Sequence, residues 1–426
     1  MTAAQPDLDL ARDLFARLGR IGHDGVGITR DSYGRGEQEA HDLIRREAEA
    51  LGLRTRTDAA LNLYLTLPGR DPEAPVAMAG SHLDSVPRGG NFDGTAGVLA
   101  GMAVLAGWRR AGFVPPADTT VMAIRAEESA WFPASYIGSK AAFGVLPAEA
   151  LEVSRRDTGQ TLSHHIAALG GEPDIVASGE PALDPRRLSR FVEVHIEQGP
   201  TLIDTGQPVG LVTGIRGSFR YRRARVHGAY AHSGATPRDA RRDAVLAAAR
   251  LVTAMDDAWQ RLAAEGRDLT VTFGRLSTDP VEADFSKVAG RADFCIDVRS
   301  FEPETLAAVE EELHATVARI ADQGGVRFDL GARTSSHPAR MDPALRAAIH
   351  AEAEAMGTPL PDMPCGAGHD AALFAQQGVP SAMIFVRNAN GSHNPEEHMD
   401  FDDFAIATRL LGRTLALPPG INGTMA

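Results

Sequence analysis

Three short apolar runs in this chain each lead to a side chain that binds metals, and that pairing narrows the folds open to it. Residues 75–80 run into Gly80-Ser81-His82-Leu83-Asp84, residues 119–125 run into Glu127-Glu128, and residues 191–196 carry His195 ahead of Glu197-Gln198-Gly199. Near-continuous apolar runs of this length read as strands buried on both faces, the kind found in parallel sheets. Open α/β sheets place their sites beyond the C-terminal ends of such strands. Two further metal-type side chains sit in glycine-rich loops: Asp93 in Asn91-Phe92-Asp93-Gly94 and His393 in Gly391-Ser392-His393-Asn394.

The rest of the chain supplies the other layers. Helical spacing marks residues 7–22, 37–52 (ending at Gly52) and 94–110, and a further strand is expected at 61–67. The texture changes after Gly214. Residues 219–227 alternate in an Arg-rich way, a helix is expected over 240–265, and strands over 269–276 and 292–298. A second helix covers 303–323 with Pro303 in its first turn, followed by a strand at 326–330. Helical patterning returns from Met341. The expected fold is therefore α/β: a mixed, mostly parallel sheet covered by helices on both faces, carrying a di-metal site. A smaller α+β domain at 215–332 interrupts a discontinuous catalytic domain at 1–214 and 333–426, which separates His393 from the other metal-type residues. A chain of 426 residues exceeds what one core usually supports, so two domains agree with its size.

Composition excludes several partners. A net charge of −13 disfavours nucleic acid and anionic membranes but leaves a small-molecule substrate open. The first turns carry Asp7, Asp9 and Asp13, which a secretory signal would not tolerate, and the longest apolar run is too short and too rich in Gly and Ala to span a bilayer. Cys295 and Cys365 are far apart and outside any C-x-x-C pattern, so a reducing, cytoplasmic location is expected.

Taken singly, each motif also has an ordinary reading. His82 and Asp84 share one side of a strand, as ligand and orienting partner or simply as a satisfied loop histidine. Asp93 before Gly94 is a common turn signal. Adjacent carboxylates after a buried strand are metal-bound or paired, or else face water at a loop entrance, because an unpaired buried charge is costly. The conjunction decides. Three imidazoles and two carboxylates suit two borderline divalent ions sharing one carboxylate, and Glu127 beside Glu128 stands where a hydrolytic base is needed.

These ordered motifs resemble the M20 metallopeptidase superfamily, which also contains the aminoacylases. Within it they resemble the amidase branch of N-carbamoyl-L-amino-acid hydrolases, β-ureidopropionases and allantoate amidohydrolases. The likeness runs from about residue 10 to residue 412. It includes Gly138-Ser139, His232-Ser233-Gly234, Thr236-Pro237, Asp297-Val298-Arg299 and Gly366-Ala367-Gly368-His369-Asp370-Ala371. The resemblance implies two divalent ions per subunit, zinc first, with manganese, cobalt or nickel as alternatives. One ion takes His82, Asp93 and His195; the other takes Asp93, Glu128 and His393. Glu127 then carries a proton from water to the leaving nitrogen, with Asp84 behind His82. A cis peptide is implied at Asp93-Gly94. Gln198, His369, Ser286 and Arg299 are implied as substrate-binding, although a salt bridge to Asp297 is an equal reading for Arg299. Arg216 and Arg220 read as cations on a solvated strand face. His232 is implied to reach the other subunit's site and stabilise the oxyanion, which makes the inserted domain both lid and homodimer interface.

Ser286 and Ala289 stand where that branch usually has Asn and Pro, so the carboxylate pocket is filled differently. The expected activity is hydrolysis of a linear C–N bond in a small ureido or carbamoyl carboxylate, first an N-carbamoyl-L-amino acid. Allantoate or β-ureidopropionate is the alternative, and peptidase or N-acyl amino acid deacylase action the further one.

Overall fold

The computed structural model describes residues 4–420. The chain divides into two compact units, one made of the residues up to Thr213 together with those from Arg340, the other of Gly214–Ala339.

The first unit is built on a nine-stranded mixed sheet. Four parallel strands form its centre, in the order Thr119–Ile124, Val76–His82, Leu188–Ile196 and Ser381–Val386. Leu63–Leu67 and Arg54–Thr57 add antiparallel strands at one side and Val209–Ile215 at the other. The sheet is thus less parallel than its apolar runs predict. Residues 58–62 leave too little chain between the first two strands for a parallel crossover, so these can only form a hairpin.

The central strand Ser381–Val386 is itself a correction, because the sequence reading left helical patterning over this region. Its six residues are all buried, and periodicity alone does not separate a fully buried strand from a buried helix.

The register places His82 beside Ile124 and His195 beside Phe385, so both histidines emerge near the same end of adjacent parallel strands. Glu127 and Glu128 follow directly on the neighbouring strand. Behind them runs the helix Thr95–Arg110, buried from Thr95 to Trp108. Its small residues let it lie close to the sheet: a Cβ on Gly97 would sit 2.3 Å from the Val194 carbonyl oxygen and 2.7 Å from Ser81 Cβ. Val192, Val194 and Ile196 share one core with this helix and with Leu410 and Leu411 of the C-terminal helix Phe401–Leu415.

The second unit carries a five-stranded antiparallel sheet, ordered Arg327–Asp329, Gly217–His227, Arg291–Ser300, Thr270–Thr278, with Arg333–Ser336 also paired to Gly217–His227. That last pairing carries the unit past the limit at 332 expected from the sequence. Arg291–Ser300 alternates strictly between buried and half-buried residues, so one face joins the core. Helices Ala244–Ala264, capped by Asp243, and Pro303–Gly324, with proline in its first turn, supply Leu251, Met255 and Leu313 to that core beside Phe219 and Phe294.

The tight contact at Gly97 gives a direct test. Gly97→Ala forces a methyl group against backbone and is expected to cost about 1–3 kcal/mol, as overpacked cores do. A urea midpoint equal to the wild type's would contradict the close approach of helix and sheet.

Candidate metal centre

Asp93 stands at the convergence of the five metal-type side chains. Its Oδ1 lies 3.4 Å from His82 Nε2 and 3.2 Å from His195 Nε2, while its Oδ2 lies 3.5 Å from His393 Nε2. His393 Nε2 is also 3.2 Å from Glu128 Oε1. Two donor groups result, His82–Asp93–His195 and Asp93–Glu128–His393, each with its ligating atoms within 4.8 Å of one another. One carboxylate therefore presents a different oxygen to each group.

The ring orientations suit cation binding. His82 Nδ1 lies 3.0 Å from the Asp84 carbonyl oxygen and His195 Nδ1 lies 2.9 Å from that of Ile196. Each Nδ1–H donates there, which leaves the Nε2 lone pairs directed at Asp93. The Gly94 N–H donating to His195 Nε2 agrees with this tautomer. Burial alone would lower both histidines, yet Asp84 and Asp93 raise His82 well above the ordinary imidazole value, and Asp93 with Glu193 raises His195. A proton and a cation thus compete for the same nitrogen. Burial likewise opposes the ionisation of Asp93, but His195, His393 and His82 hold its pKa well below the carboxylate range. The set fits a pair of divalent cations in donor type, tautomer and charge.

The backbone is bent to make this possible. Gly94 has φ +64°, and a Cβ there would lie 2.4 Å from His82 Cε1. The Asp93–Gly94 bond, expected to be cis, is trans, and no cis peptide occurs among the described residues. The left-handed glycine supplies the reversal instead. Three non-glycine residues here are also left-handed: Ala126 before Glu127 (φ +50°), Gln198 (φ +63°) and His393 (φ +62°). Such conformations persist where surrounding contacts impose them, and they cluster at functional sites.

The remaining expected residues in the first unit sort clearly. Asp84, fully buried, accepts the Glu127 and Glu128 N–H groups at 3.2 Å each. Burial raises Glu127 well above the usual carboxylate range; His82 opposes this, and Glu128, Asp370 and Asp84 add to it. Gln198 donates its side-chain amide to Asp93 Oδ2 at 2.6 Å, while its own Oε1 is buried without a partner among the described residues. His369 lies with its ring 4.3 Å from that of His195, and its buried Nε2 has no hydrogen-bond partner among the described residues. Burial, with His195 adding, holds His369 well below the ordinary imidazole pKa, so it remains neutral.

His232, Ser286 and Arg299 belong to the second unit. His232 is exposed, and its Nδ1 accepts the Gly234 and Ala235 N–H groups at 3.2 Å. The Ser286 carbonyl accepts the Ser233 N–H, beside the two-residue pairing of Lys287 with His232. Arg299 pairs with Asp297 at 2.8 Å, the ordinary reading of the two left open, and Arg220 binds the same carboxylate. Arg216 and Arg220, expected on a solvated face, are both half-buried, and Arg216 pairs with Asp268.

Two carboxylates escaped the sequence reading. Glu397 Oε1 accepts the Phe92 and Asp93 N–H groups at 2.9 and 3.1 Å, and its Oε2 lies 2.7 Å from Ser392 Oγ, so it ties the Asp93 turn to the His393 loop. Glu193 accepts the Ser81 hydroxyl and the Ala371 N–H, both at 2.8 Å, linking the segments that carry His82 and His369. Glu193 was hidden in an apolar strand. Glu397 had one signal, a charged pair so soon after His393.

Comparison with known proteins places this arrangement. The N-carbamoyl-L-amino acid amidohydrolase of Geobacillus stearothermophilus is 34% identical, over 94% of this chain and 97% of that protein. The allantoate amidohydrolase of Escherichia coli (strain K12) is 32% identical, over 93% and 95% respectively. The crystal structure of an amidase of the hydantoinase/carbamoylase family from Burkholderia multivorans superposes with a TM-score of 0.84 at 29% identity, covering 97% of this chain and 99% of that one. A profile of peptidase family M20/M25/M40 matches residues 78–417, which include every metal-type residue gathered around Asp93, and the chain belongs to that family.

Proposed function

We propose that the protein is a metal-dependent amidohydrolase that cleaves the ureido C–N bond of an N-carbamoyl-L-amino acid, giving the amino acid, carbon dioxide and ammonia. The observation that carries this reading is the pair of donor groups sharing Asp93, with Glu127 next to Glu128 but outside both groups. A purely metal-binding site has no use for Glu127. The named activities of the two relatives above support ureido carboxylates as the substrate class.

Two divalent cations per subunit, zinc first, would be held by His82, Asp93 and His195 and by Asp93, Glu128 and His393. Bound there, they supply Lewis acidity toward the scissile carbonyl and make water acidic enough to deprotonate near neutral pH. Glu127 takes the proton of the attacking water on its carboxylate and delivers it to the departing nitrogen. Its raised pKa matches both halves of that task, since a strong acid would accept the proton poorly. His369, neutral and with an unpartnered nitrogen, offers one hydrogen bond to substrate. Gln198, held at Asp93 by its amide nitrogen, offers its unpartnered Oε1 as an acceptor.

The second unit is proposed as lid and homodimer interface. His232 supports this reading: its Nδ1 is occupied as an acceptor, which leaves Nε2–H as an exposed donor suited to an oxyanion. Arg299 and Ser286 would meet the substrate carboxylate, Arg299 after exchanging Asp297 for it. Helices covering both faces of the sheet are supported by the strand Leu188–Ile196, where Val192 and Val194 join the core with Thr95–Arg110 while Phe191 stacks on Phe374 of Asp370–Gln376. A cytoplasmic location fits the two unbridged cysteines, and no helix of the described residues is long and apolar enough to cross a membrane.

Metal-loaded protein should release ammonia from N-carbamoyl-L-amino acids, assayed beside N-carbamoyl-β-alanine and allantoate; no ammonia from any of them contradicts the proposal. Glu127→Gln should lower kcat by about 10²–10⁴-fold, the usual worth of a positioned proton carrier, with both metal equivalents retained. Full activity in that variant would remove Glu127 from the mechanism. Stripping with chelator should lower the melting temperature, because a ligand at about a thousand times its Kd contributes roughly 4 kcal/mol. Restoration by added zinc or manganese completes that test, and an unchanged melting temperature counts against a resident cation.

A further inference from the structure

Three consecutive N–H groups, those of Ala126, Glu127 and Glu128, are all accepted by buried carboxylates. Asp84 takes the second and third. The first goes to Glu37 Oε1 at 2.8 Å. Glu37 lies in the first turn of the helix Arg35–Ala50, is fully buried, and contacts none of the metal-type side chains in the interactions described.

Its other partners share a pattern. Glu37 Oε2 accepts the Tyr33 N–H at 2.6 Å and the Arg125 guanidinium at 3.0 Å. Tyr33 and Ala126 are both left-handed, at φ +49° and +50°. One carboxylate therefore holds two non-glycine residues in a conformation that L-residues rarely adopt. Arg125 is fixed in turn, with Nε on the Leu61 carbonyl at 3.1 Å and Nη2 on Gln38 Oε1 at 2.6 Å. A buried ion pair of this kind is weak evidence for stability alone, since well-packed apolar side chains often serve as well. What apolar side chains could not do is accept an N–H from a strained turn.

We propose that Glu37 is a positioning residue for Glu127: by accepting the Ala126 N–H it imposes the left-handed turn that aims the Glu127 carboxylate. The proposal rests on the reading of Glu127 as the proton carrier. Ala126 is the last residue before Glu127, so a relaxed φ there redirects everything that follows. Asp84 holds the N–H groups after that point and the Ile137 N–H binds the Ala126 carbonyl at 3.2 Å, while Glu37 fixes the peptide before Ala126 by taking its N–H.

The test uses metal-loaded full-length protein and a substrate that the wild type has first been found to hydrolyse, so failure of the activity itself is recognised before any variant is read. Glu37→Gln keeps the shape but turns one acceptor oxygen into a donor. It should lower kcat about 10–100-fold, as misplacement of a reacting group does, with KM and bound metal unchanged. Adding Ala126→Gly to that variant should recover most of the lost kcat, because glycine takes the left-handed conformation without penalty. If Glu37→Gln does not fold, Glu37→Asp, which keeps the charge and shortens the reach, should show the same split to a smaller degree. Wild-type kcat in the folded variant, a loss that tracks lost metal, or no recovery on adding Ala126→Gly would each overturn the proposal.

Discussion

The Asp93 carboxylate is the constraint on which the site depends. Its two oxygens face different imidazole sets, His82 and His195 on one side and His393 on the other. To do so it must be buried, ionised and held at one angle. Glu397 grips its backbone N–H, Gln198 and Ser392 reach its Oδ2, and Gly94 turns the chain away beneath the His82 ring. Apart from Gly94, each support comes from a distant part of the sequence, so the site exists only when the first unit is folded.

A second demand follows from charge. Asp84, Asp93, Glu128, Glu193, Asp370 and Glu397 are all buried, an expensive collection without partners. The protein meets it with backbone N–H donors at Asp93, Glu127, Glu128 and Ala371, with the hydroxyls of Ser32, Ser81, Ser139 and Ser392, and with imidazoles. Divalent cations complete the balance in the proposed enzyme. Strain is the companion cost. Left-handed Ala126, Gln198 and His393 aim side chains where relaxed chains would not, and the surrounding hydrogen bonds keep them there.

Much of this was legible in the sequence, for physical reasons. His82, Glu127-Glu128 and His195 follow or end apolar runs, and a parallel sheet forces such positions together at one end. Most of the second unit's elements could be read because Arg291–Ser300 alternates and the two helices are amphipathic. Other parts could not be read. Ser381–Val386 is apolar after its first residue and carries no periodicity, so its place beside the His195 strand appears only in the fold. Glu37 and Glu193 look like an ordinary helix charge and an oddity in a strand; their meaning lies in partners far away in sequence. The turn at Asp93–Gly94 and the pairing of Arg299 with Asp297 depend on local geometry that residue types leave open.

The central claim is that one carboxylate serves two cations. Metal counted by atomic emission in stripped and reloaded protein tests it most directly. The account predicts two equivalents in the wild type, one in His393→Ala, and none retained tightly in Asp93→Ala, provided each variant keeps a cooperative urea transition. Two equivalents surviving in folded Asp93→Ala would contradict the shared bridge on which the rest of the site is built.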